Sequence, residues 1–229
     1  MYSVIQEYPD LYYSSRTDQR KKDGDIDSDF LYNTPDFHIR RLLMLTDYPK
    51  NIILKDNTEC VFSIADRNSI EGVGELFTRV SAEDIWVMPR DYTRMESVKY
   101  FIDTFNPDEN LHLMIHQEGK LIGMGILRYT RFGAKKHIGE VEVIIDELYK
   151  QKRLGTWIIL ELAGIARELK LEIIKIELVA GKDDAAITAS RRLNFIPQAT
   201  LKNYLQDQKG RWVDMVILIK EIHESWSDY

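Results

Sequence analysis

The chain has 229 residues, of which 44% are hydrophobic, so it can bury one sizeable core, in one domain or in two small ones. A formal net charge of −6 argues against a general nucleic-acid-binding protein, and the single Cys60 excludes an internal disulfide and a cysteine-cluster metal site. The first 30 residues do not resemble a signal peptide, and no apolar run approaches the ~18 residues of a membrane span. We therefore expect a cytoplasmic protein that binds neither nucleic acid nor membranes.

The first 48 residues differ in composition from the rest. Up to about residue 30 the chain is poor in aliphatic side chains, and Arg20 to Asp29 alternate in charge without apolar periodicity, which predicts a solvated or disordered segment. Phe37 to Leu45 carry apolar residues at helical spacing, which predicts a short helix that ends before Pro49. The interpretation is a partly flexible N-terminal extension over 1–48, whose role the sequence does not reveal, and a main domain over 49–229.

The main domain alternates strand-like and helix-like patterns, with apolar side chains at period two or at spacings of three and four. Glycine-bearing or charged turns separate the segments. In chain order, the predicted elements are a hairpin (52–65), two helices (69–80 and 95–105), two strands (111–116 and 121–128), a third strand (139–145), a helix from residue 155, a buried strand (172–179), a helix (183–193) and a closing hairpin (199–205 and 212–220).

One stretch, residues 139–156, combines features of an anion-binding site. It reads as a strand with two carboxylates, Glu140 and Glu142, then a basic turn, then the start of the apolar-faced helix. A helix N-terminus presents free backbone N–H groups to a phosphate, and nearby Lys and Arg side chains add positive charge. A basic turn can also be only a solvated surface. The five histidines show no metal-ligand spacing, so no metal is expected.

Three segments resemble corresponding segments of one family. Residues 139–156 are similar to the fourth strand and pyrophosphate loop of the GNAT superfamily of acyl-CoA-dependent N-acyltransferases. Residues 183–195 resemble the helix that ends in the family's Leu-Gly-Phe signature, and residues 201–218 resemble its closing hairpin. The resemblance covers Ile52 to Ile222. It implies an α/β fold with a mixed, mostly antiparallel central sheet flanked by helices, and acetyl-CoA as the acyl donor.

The resemblance also implies the site residues. An amine acceptor must lose a proton before it attacks, and a carboxylate is suited to take that proton. Alternation places Glu140 and Glu142 on one face of the strand, about 6.6 Å apart. Glu140 matches the family's general base, and Glu142 is the reserve. The donor-binding residues implied are Val143, Ile144 and Ile145 in the strand, Lys150, Gln151, Lys152, Arg153, Leu154, Gly155 and Thr156 in the loop and helix start, and Asp183 and Ser190 in the later helix.

The sequence departs from the family pattern at several positions. Arg153 stands where the family has a glycine, and it could contact a donor phosphate or point to solvent in a slightly distorted loop. Asp183 replaces the usual Asn, and Asn194 replaces the Gly of Leu-Gly-Phe. Ser190 stands where many members have a tyrosine that protonates the leaving thiolate, so no general acid is assigned.

The predicted function is transfer of an acetyl group from acetyl-CoA to a primary amine by direct attack. The segment Leu54 to Asn57 and the missing tyrosine resemble bacterial Pat-type protein lysine acetyltransferases, which favours a protein lysine as acceptor. A small amine such as a polyamine or amino acid is the alternative, as is a non-catalytic acyl-CoA-binding module. Trp86, Tyr92 and Tyr204 either shape the acceptor pocket or pack ordinarily. A homodimer is possible.

Overall fold

The computed structural model describes residues 47–106 and 109–222. The predicted helix over 37–45 and nearly all of the predicted N-terminal extension lie outside these residues, so both stay predictions. Within the described ranges, no helix is long and apolar enough to cross a membrane.

Eight strands form one sheet in the order β1-β2-β3-β4-β5-β6-β8-β7. Only β5 and β6 run parallel, while every other neighbouring pair is antiparallel. The predicted mixed, mostly antiparallel sheet flanked by helices is therefore confirmed. The strands are β1 (Lys50–Ile53), β2 (Glu59–Ile64), β3 (Asn110–Gln117), β4 (Lys120–Tyr129), β5 (Ile138–Ile145), β6 (Ile173–Val179), β7 (Ile196–Gln206) and β8 (Trp212–Glu221).

Within the described residues, five α-helices connect the strands: α1 (Val73–Phe77), α2 (Ala82–Trp86), α3 (Met95–Asp103), α4 (Leu154–Glu168) and α5 (Asp184–Arg192). The single helix predicted over 69–80 was wrong in extent. Its first part is a 3₁₀ turn (Ser69–Gly72) and α1 ends at Phe77, in a segment whose two glycines weaken helix propensity. The sequence prediction also missed α2, which begins where the Ser81 hydroxyl accepts a hydrogen bond from the Asp84 N–H.

Helices cover both faces of the central strands. On one face α4 lies so close to β4 that a Cβ added at Gly125 would be 2.4 Å from Ile158 Cγ2, which explains why glycine stands there. On the other face α1 and α3 pack on β3 and β4, and the Phe77 and Tyr92 rings stack with centroids 4.4 Å apart. These two layers hold β5 in the middle of the sheet.

The parallel pair β5–β6 separates halfway along its length. Register partners run from Ile138 opposite Ile173 to Val141 opposite Ile176, and no further pairs follow among the described residues. The second half of β5, residues 142–145, therefore pairs only with β4. We call the space between residues 142–145 of β5 and residues 177–179 of β6 the inter-strand cleft.

Candidate active site

The backbone of β5 presents polar groups to the inter-strand cleft. Successive residues of a strand direct their N–H and C=O groups to opposite edges. The Asp146 N–H donates to the Ile122 carbonyl on the β4 side, at 2.9 Å, so Ile144 also faces β4. Val143 and Ile145 then face the cleft. Of the three predicted donor-binding residues in this strand, these two have backbone groups that face the cleft. The Ile144 side chain is instead buried in the cluster that includes residues of α1 and α3.

On the β6 side of the cleft, the backbone groups of Val179 already have hydrogen-bond partners. The Val179 N–H donates to Asp183 Oδ2 at 2.8 Å, and the Asp183 N–H donates to the Val179 carbonyl at 2.8 Å. Because the next residue, Ala180, bonds toward β8, these Val179 groups are the ones that point to β5. Asp183 thus occupies polar groups of β6 that would otherwise continue its pairing with β5.

Both candidate bases lie on the face of β5 opposite α4, each beside a cation. Glu140 Oε1 is 2.8 Å from Lys175 Nζ on β6, and its side chain is 48% exposed. Glu142 Oε2 is 2.5 Å from Arg128 Nη2 on β4, and its side chain is 28% exposed. Lys175 also contacts Glu177 at 2.8 Å. A row of alternating charges therefore crosses β4, β5 and β6 at the start of the cleft.

The three aromatic residues singled out in the sequence have different surroundings. Tyr92 is buried against Phe77, and burial together with the negative charge of Glu142 raises the pKa of the Tyr92 phenol. The Trp86 indole donates to the Gln206 carbonyl in the β7–β8 hairpin at 2.7 Å. Tyr204 is exposed on β7, the last strand of the sheet. Trp86 thus joins α2 to the closing hairpin, and Tyr92 lies close enough to Glu142 to feel its charge.

The two lysines of the basic loop are already paired within the protein. Lys150 Nζ contacts Asp84 Oδ2 at 2.7 Å and Glu147 Oε2 at 2.6 Å. Although burial favours its neutral form, these pairs raise the pKa of Lys150. Lys152 Nζ contacts Asp56 Oδ2 at 2.9 Å. Neither lysine can contact a phosphate without exchanging or sharing its partner.

Arg153 adopts the left-handed conformation that favours glycine. Its φ is 67° and it occupies the N-cap of α4, whose first N–H groups receive no side-chain cap. Gln151, also predicted to bind the donor, has a φ of 62°. The Arg153 side chain is exposed, and its guanidinium makes no hydrogen bond or ion pair with the described part of the chain. The guanidinium is therefore available at the helix N-terminus.

The start of α4 packs against the cleft-lining strand. Leu154 is buried, and a Cβ added at Gly155 would lie 3.4 Å from Ile145 Cδ1. Thr156 is half-buried in the same first turn. The free N–H groups of this turn consequently begin next to the unpaired half of β5.

Ser190 is fully buried on α5, and its hydroxyl has no hydrogen-bond partner among the described residues. An unsatisfied buried hydroxyl costs about 1–3 kcal/mol, so native proteins seldom leave one. Because the side chain does not lie at the surface, the structure gives a donor no direct access to this hydroxyl.

Sequence reasoning missed three charged residues that order the site. Asp84 on α2 contacts both Lys150 and Lys182, and Lys175 contacts Glu140. The pattern Ser81-x-x-Asp84 is a helix N-terminal signature, so α2 could have been found from the sequence. The position of α2 beside the basic loop could not have been found in this way. Within residues 47–106 and 109–222, no three His, Cys, Asp or Glu side chains converge as a metal site.

The model of a family described as "Acetyltransferase (GNAT) domain" matches residues 83–217, which is more than half of the chain. The chain belongs to the GNAT acetyltransferase family. This GNAT protein is accordingly an acyl-CoA-dependent N-acyltransferase, as the resemblance implied. None of the curated proteins matches its sequence significantly.

Solved structures share the fold at low sequence identity. An acetyltransferase of the GNAT family from Streptococcus pneumoniae is 18% identical, with a TM-score of 0.62, over 71% of this chain and 99% of that one. The ribosomal-protein-S18-alanine N-acetyltransferase from Escherichia coli is 18% identical, with a TM-score of 0.59, over 74% and 98%. A putative acetyltransferase from Salmonella typhimurium, solved with its cofactor acetyl-CoA, is 17% identical, with a TM-score of 0.59, over 72% and 95%.

Proposed function

We propose that this GNAT protein transfers an acetyl group from acetyl-CoA to the primary amine of a protein, with a glutamate of β5 as general base. The observation that carries the proposal is the half-unpaired strand β5. Its paired half carries Glu140 on the face opposite α4, and its unpaired half carries Glu142 and two cleft-facing backbone positions. One strand thereby offers both a proton acceptor and a binding edge for an extended ligand.

The unpaired backbone suits the amide-containing arm of the donor. Val143 and Ile145 can each donate and accept main-chain hydrogen bonds, as an edge strand does for an added strand. Beyond them, the first N–H groups of α4 and the available Arg153 guanidinium suit the pyrophosphate. Backbone N–H groups at the cleft can also stabilise the oxyanion that develops on the thioester carbonyl. Lys150 and Lys152 add positive charge at the phosphates when they exchange or share their carboxylate partners.

The base is assigned to Glu140, with Glu142 as the alternative. Glu140 occupies the position of the family's base, and it lies where β5 and β6 begin to separate. Glu142 is less exposed and adjoins the buried Tyr92. In either case the carboxylate takes the proton of an alkylammonium group whose pKa is near 10.4 in water, directly or through a water molecule.

A protein amine is proposed as acceptor, with a small amine as the second candidate. Two structural neighbours, from Escherichia coli and Brucella melitensis, are named as enzymes that act on alanine of a ribosomal protein. In this chain α2 contacts the β7–β8 hairpin through Trp86 with Gln206 and Gln208 with Ala82, and its Asp84 contacts the lysines that follow the two strands of the cleft. This arrangement favours a single extended side chain or chain terminus over a bulky acceptor. We also propose a cytoplasmic location and leave a homodimer as a prediction.

Thiol release from acetyl-CoA, measured with lysine peptides, peptides with free N-terminal amines, polyamines and amino acids, tests this function. We expect turnover with at least one peptide class, and loss of that turnover in Glu140→Gln. Turnover with small amines alone would replace the protein acceptor by the second candidate. Binding of acetyl-CoA without turnover on any amine would contradict the proposed reaction.

A further inference from the structure

Two lysines from opposite sides of the inter-strand cleft meet on one carboxylate. Lys150 follows β5 and lies 2.7 Å from Asp84 Oδ2, while Lys182 follows β6 and lies 2.6 Å from Asp84 Oδ1. The three side chains are between 20% and 33% exposed. They form a bridge across the cleft, which we call the Asp84 bridge.

The helix that carries Asp84 is fixed at further points. At its N-terminus the Ser81 hydroxyl accepts a hydrogen bond from Lys150 Nζ at 3.2 Å. Gln208 Nε2 donates to the Ala82 carbonyl at 2.8 Å, and Trp86 bonds to the β7–β8 hairpin. The five residues of α2 are therefore tied to the loop after β5, the loop after β6 and the closing hairpin. Asp84 is the residue that joins the first two.

Adjacent parallel strands tend to pair, so a cleft between β5 and β6 requires contacts that hold the two strands apart. Each added main-chain hydrogen bond would stabilise the sheet, and paired strands lie about 4.8 Å apart. Yet β5 and β6 stay separate after Val141 and Ile176. Asp183 blocks pairing locally by binding Val179. The Asp84 bridge connects the loops that follow both strands to α2.

We propose that Asp84 is a positioning residue, which fixes the width of the inter-strand cleft by holding Lys150 and Lys182 from its two sides. This inference rests on the proposed function, because it takes the cleft as the binding site of the acyl donor. Asp84 itself contacts the two lysines and not the donor. Its loss leaves the donor-binding groups present but no longer held at one spacing.

The substitution Asp84→Asn separates this role from simple electrostatics. Removing a negative charge beside the cleft would strengthen the binding of anionic CoA if charge alone mattered. Loss of the bridge acts in the opposite direction. By titration calorimetry with CoA, we expect Asp84→Asn to bind about tenfold more weakly than the wild type, which corresponds to about 1.4 kcal/mol. Asp84→Glu, which keeps both carboxylate oxygens, should recover most of the affinity.

Asp56→Asn is the matched control. Asp56 pairs with Lys152 of the same loop at 2.9 Å but reaches only one side of the cleft. This variant changes the net charge by the same amount, and we expect its affinity for CoA to equal or exceed that of the wild type. Equal weakening in Asp56→Asn and Asp84→Asn would overturn the bridge, as would wild-type or stronger binding in Asp84→Asn.

A second variant covers the case in which Asp84→Asn does not fold. Asp84→Asn combined with Lys182→Gln removes one charge of each sign, so the net charge is that of the wild type, and Lys150 keeps Glu147 as its remaining carboxylate partner. Weak CoA binding by this folded double variant supports the bridge, and wild-type binding overturns it. If the wild type itself binds no CoA, the proposed donor site fails first and the inference with it. If the wild type binds CoA, and both Asp84→Asn and the double variant bind CoA as tightly as the wild type, only the inference fails.

Discussion

The two halves of β5 share one sequence pattern and have different partners. Residues 138–141 pair with β4 on one edge and β6 on the other, whereas residues 142–145 pair with β4 alone. The first half is therefore an ordinary central strand. The second half leaves two backbone positions, Val143 and Ile145, facing the cleft. The proposed donor-binding function therefore comes from an interruption of strand pairing and not from a special set of side chains.

The largest effect is expected where the two halves meet, at the candidate bases. Because a general base contributes about 10²–10⁴-fold to a rate, Glu140→Gln should lower turnover by that factor and leave acetyl-CoA affinity nearly unchanged. Glu142→Gln should lower turnover less. Steady-state thiol release with the best acceptor measures both. A larger loss of turnover in Glu142→Gln than in Glu140→Gln would assign the base to Glu142, in the unpaired half of the strand.

Proline substitutions at neighbouring positions compare the two edges of the strand directly. Ile144→Pro removes an N–H that faces β4 and disturbs a buried side chain, and should cost about 3 kcal/mol or more in the free energy of unfolding. Val143→Pro removes an N–H that faces the cleft, so urea unfolding should change less while acetyl-CoA affinity falls at least about tenfold. Equal destabilisation by the two prolines would contradict the assigned directions of these N–H groups.

A smaller effect should appear in the fully covered part of the sheet, at His112 of β3. Burial lowers the pKa of His112 to about 4, so the native protein holds it neutral while the unfolded chain takes up a proton below about pH 6.5. The free energy of unfolding should therefore fall as the pH drops from 6.5 toward 4, by up to about 3 kcal/mol. In urea unfolding, the free energy of unfolding of His112→Gln should depend less on pH than that of the wild type. His137→Gln, in the half-buried loop before β5, is the control.

The smallest effect is expected at Arg153. Because its φ of 67° favours glycine, Arg153→Gly should relieve left-handed strain and raise the free energy of unfolding by about 1 kcal/mol. The same change removes the available guanidinium, so CoA affinity should fall severalfold. Unchanged affinity would leave Arg153 as a solvent-exposed side chain, the other reading of its sequence position.

The spacing of apolar residues predicted much of this fold. The hairpin, the meander of β3 to β5 and the long helix α4 follow from local periodicity and turn residues. The helix α2 was not predicted, because its five residues are too short to show a period. The predicted 69–80 helix breaks where Gly72 and Gly74 interrupt it.

The candidate site was only partly readable, because pairing between distant strands has no local signal. Alternation along β5 holds equally for a strand paired on both edges, so the sequence could not tell that Ile144 faces β4 while Val143 and Ile145 face a cleft. Likewise, the sequence predicted positive charge in the basic loop but not the ion pairs of its lysines. Asp84 and Asp56, which pair with Lys150 and Lys152, come from segments that only the fold brings close.

Amide hydrogen exchange along β5, with and without saturating acetyl-CoA, tests whether the donor binds the unpaired half of this strand. We expect the Val143 and Ile145 amides to exchange at least about tenfold more slowly with the donor, while the Ile144 amide, already bonded to β4, is slow in both states. Equal exchange of Val143 and Ile145 in the two states, under conditions where calorimetry shows the donor bound, would place the donor elsewhere and contradict the proposed site.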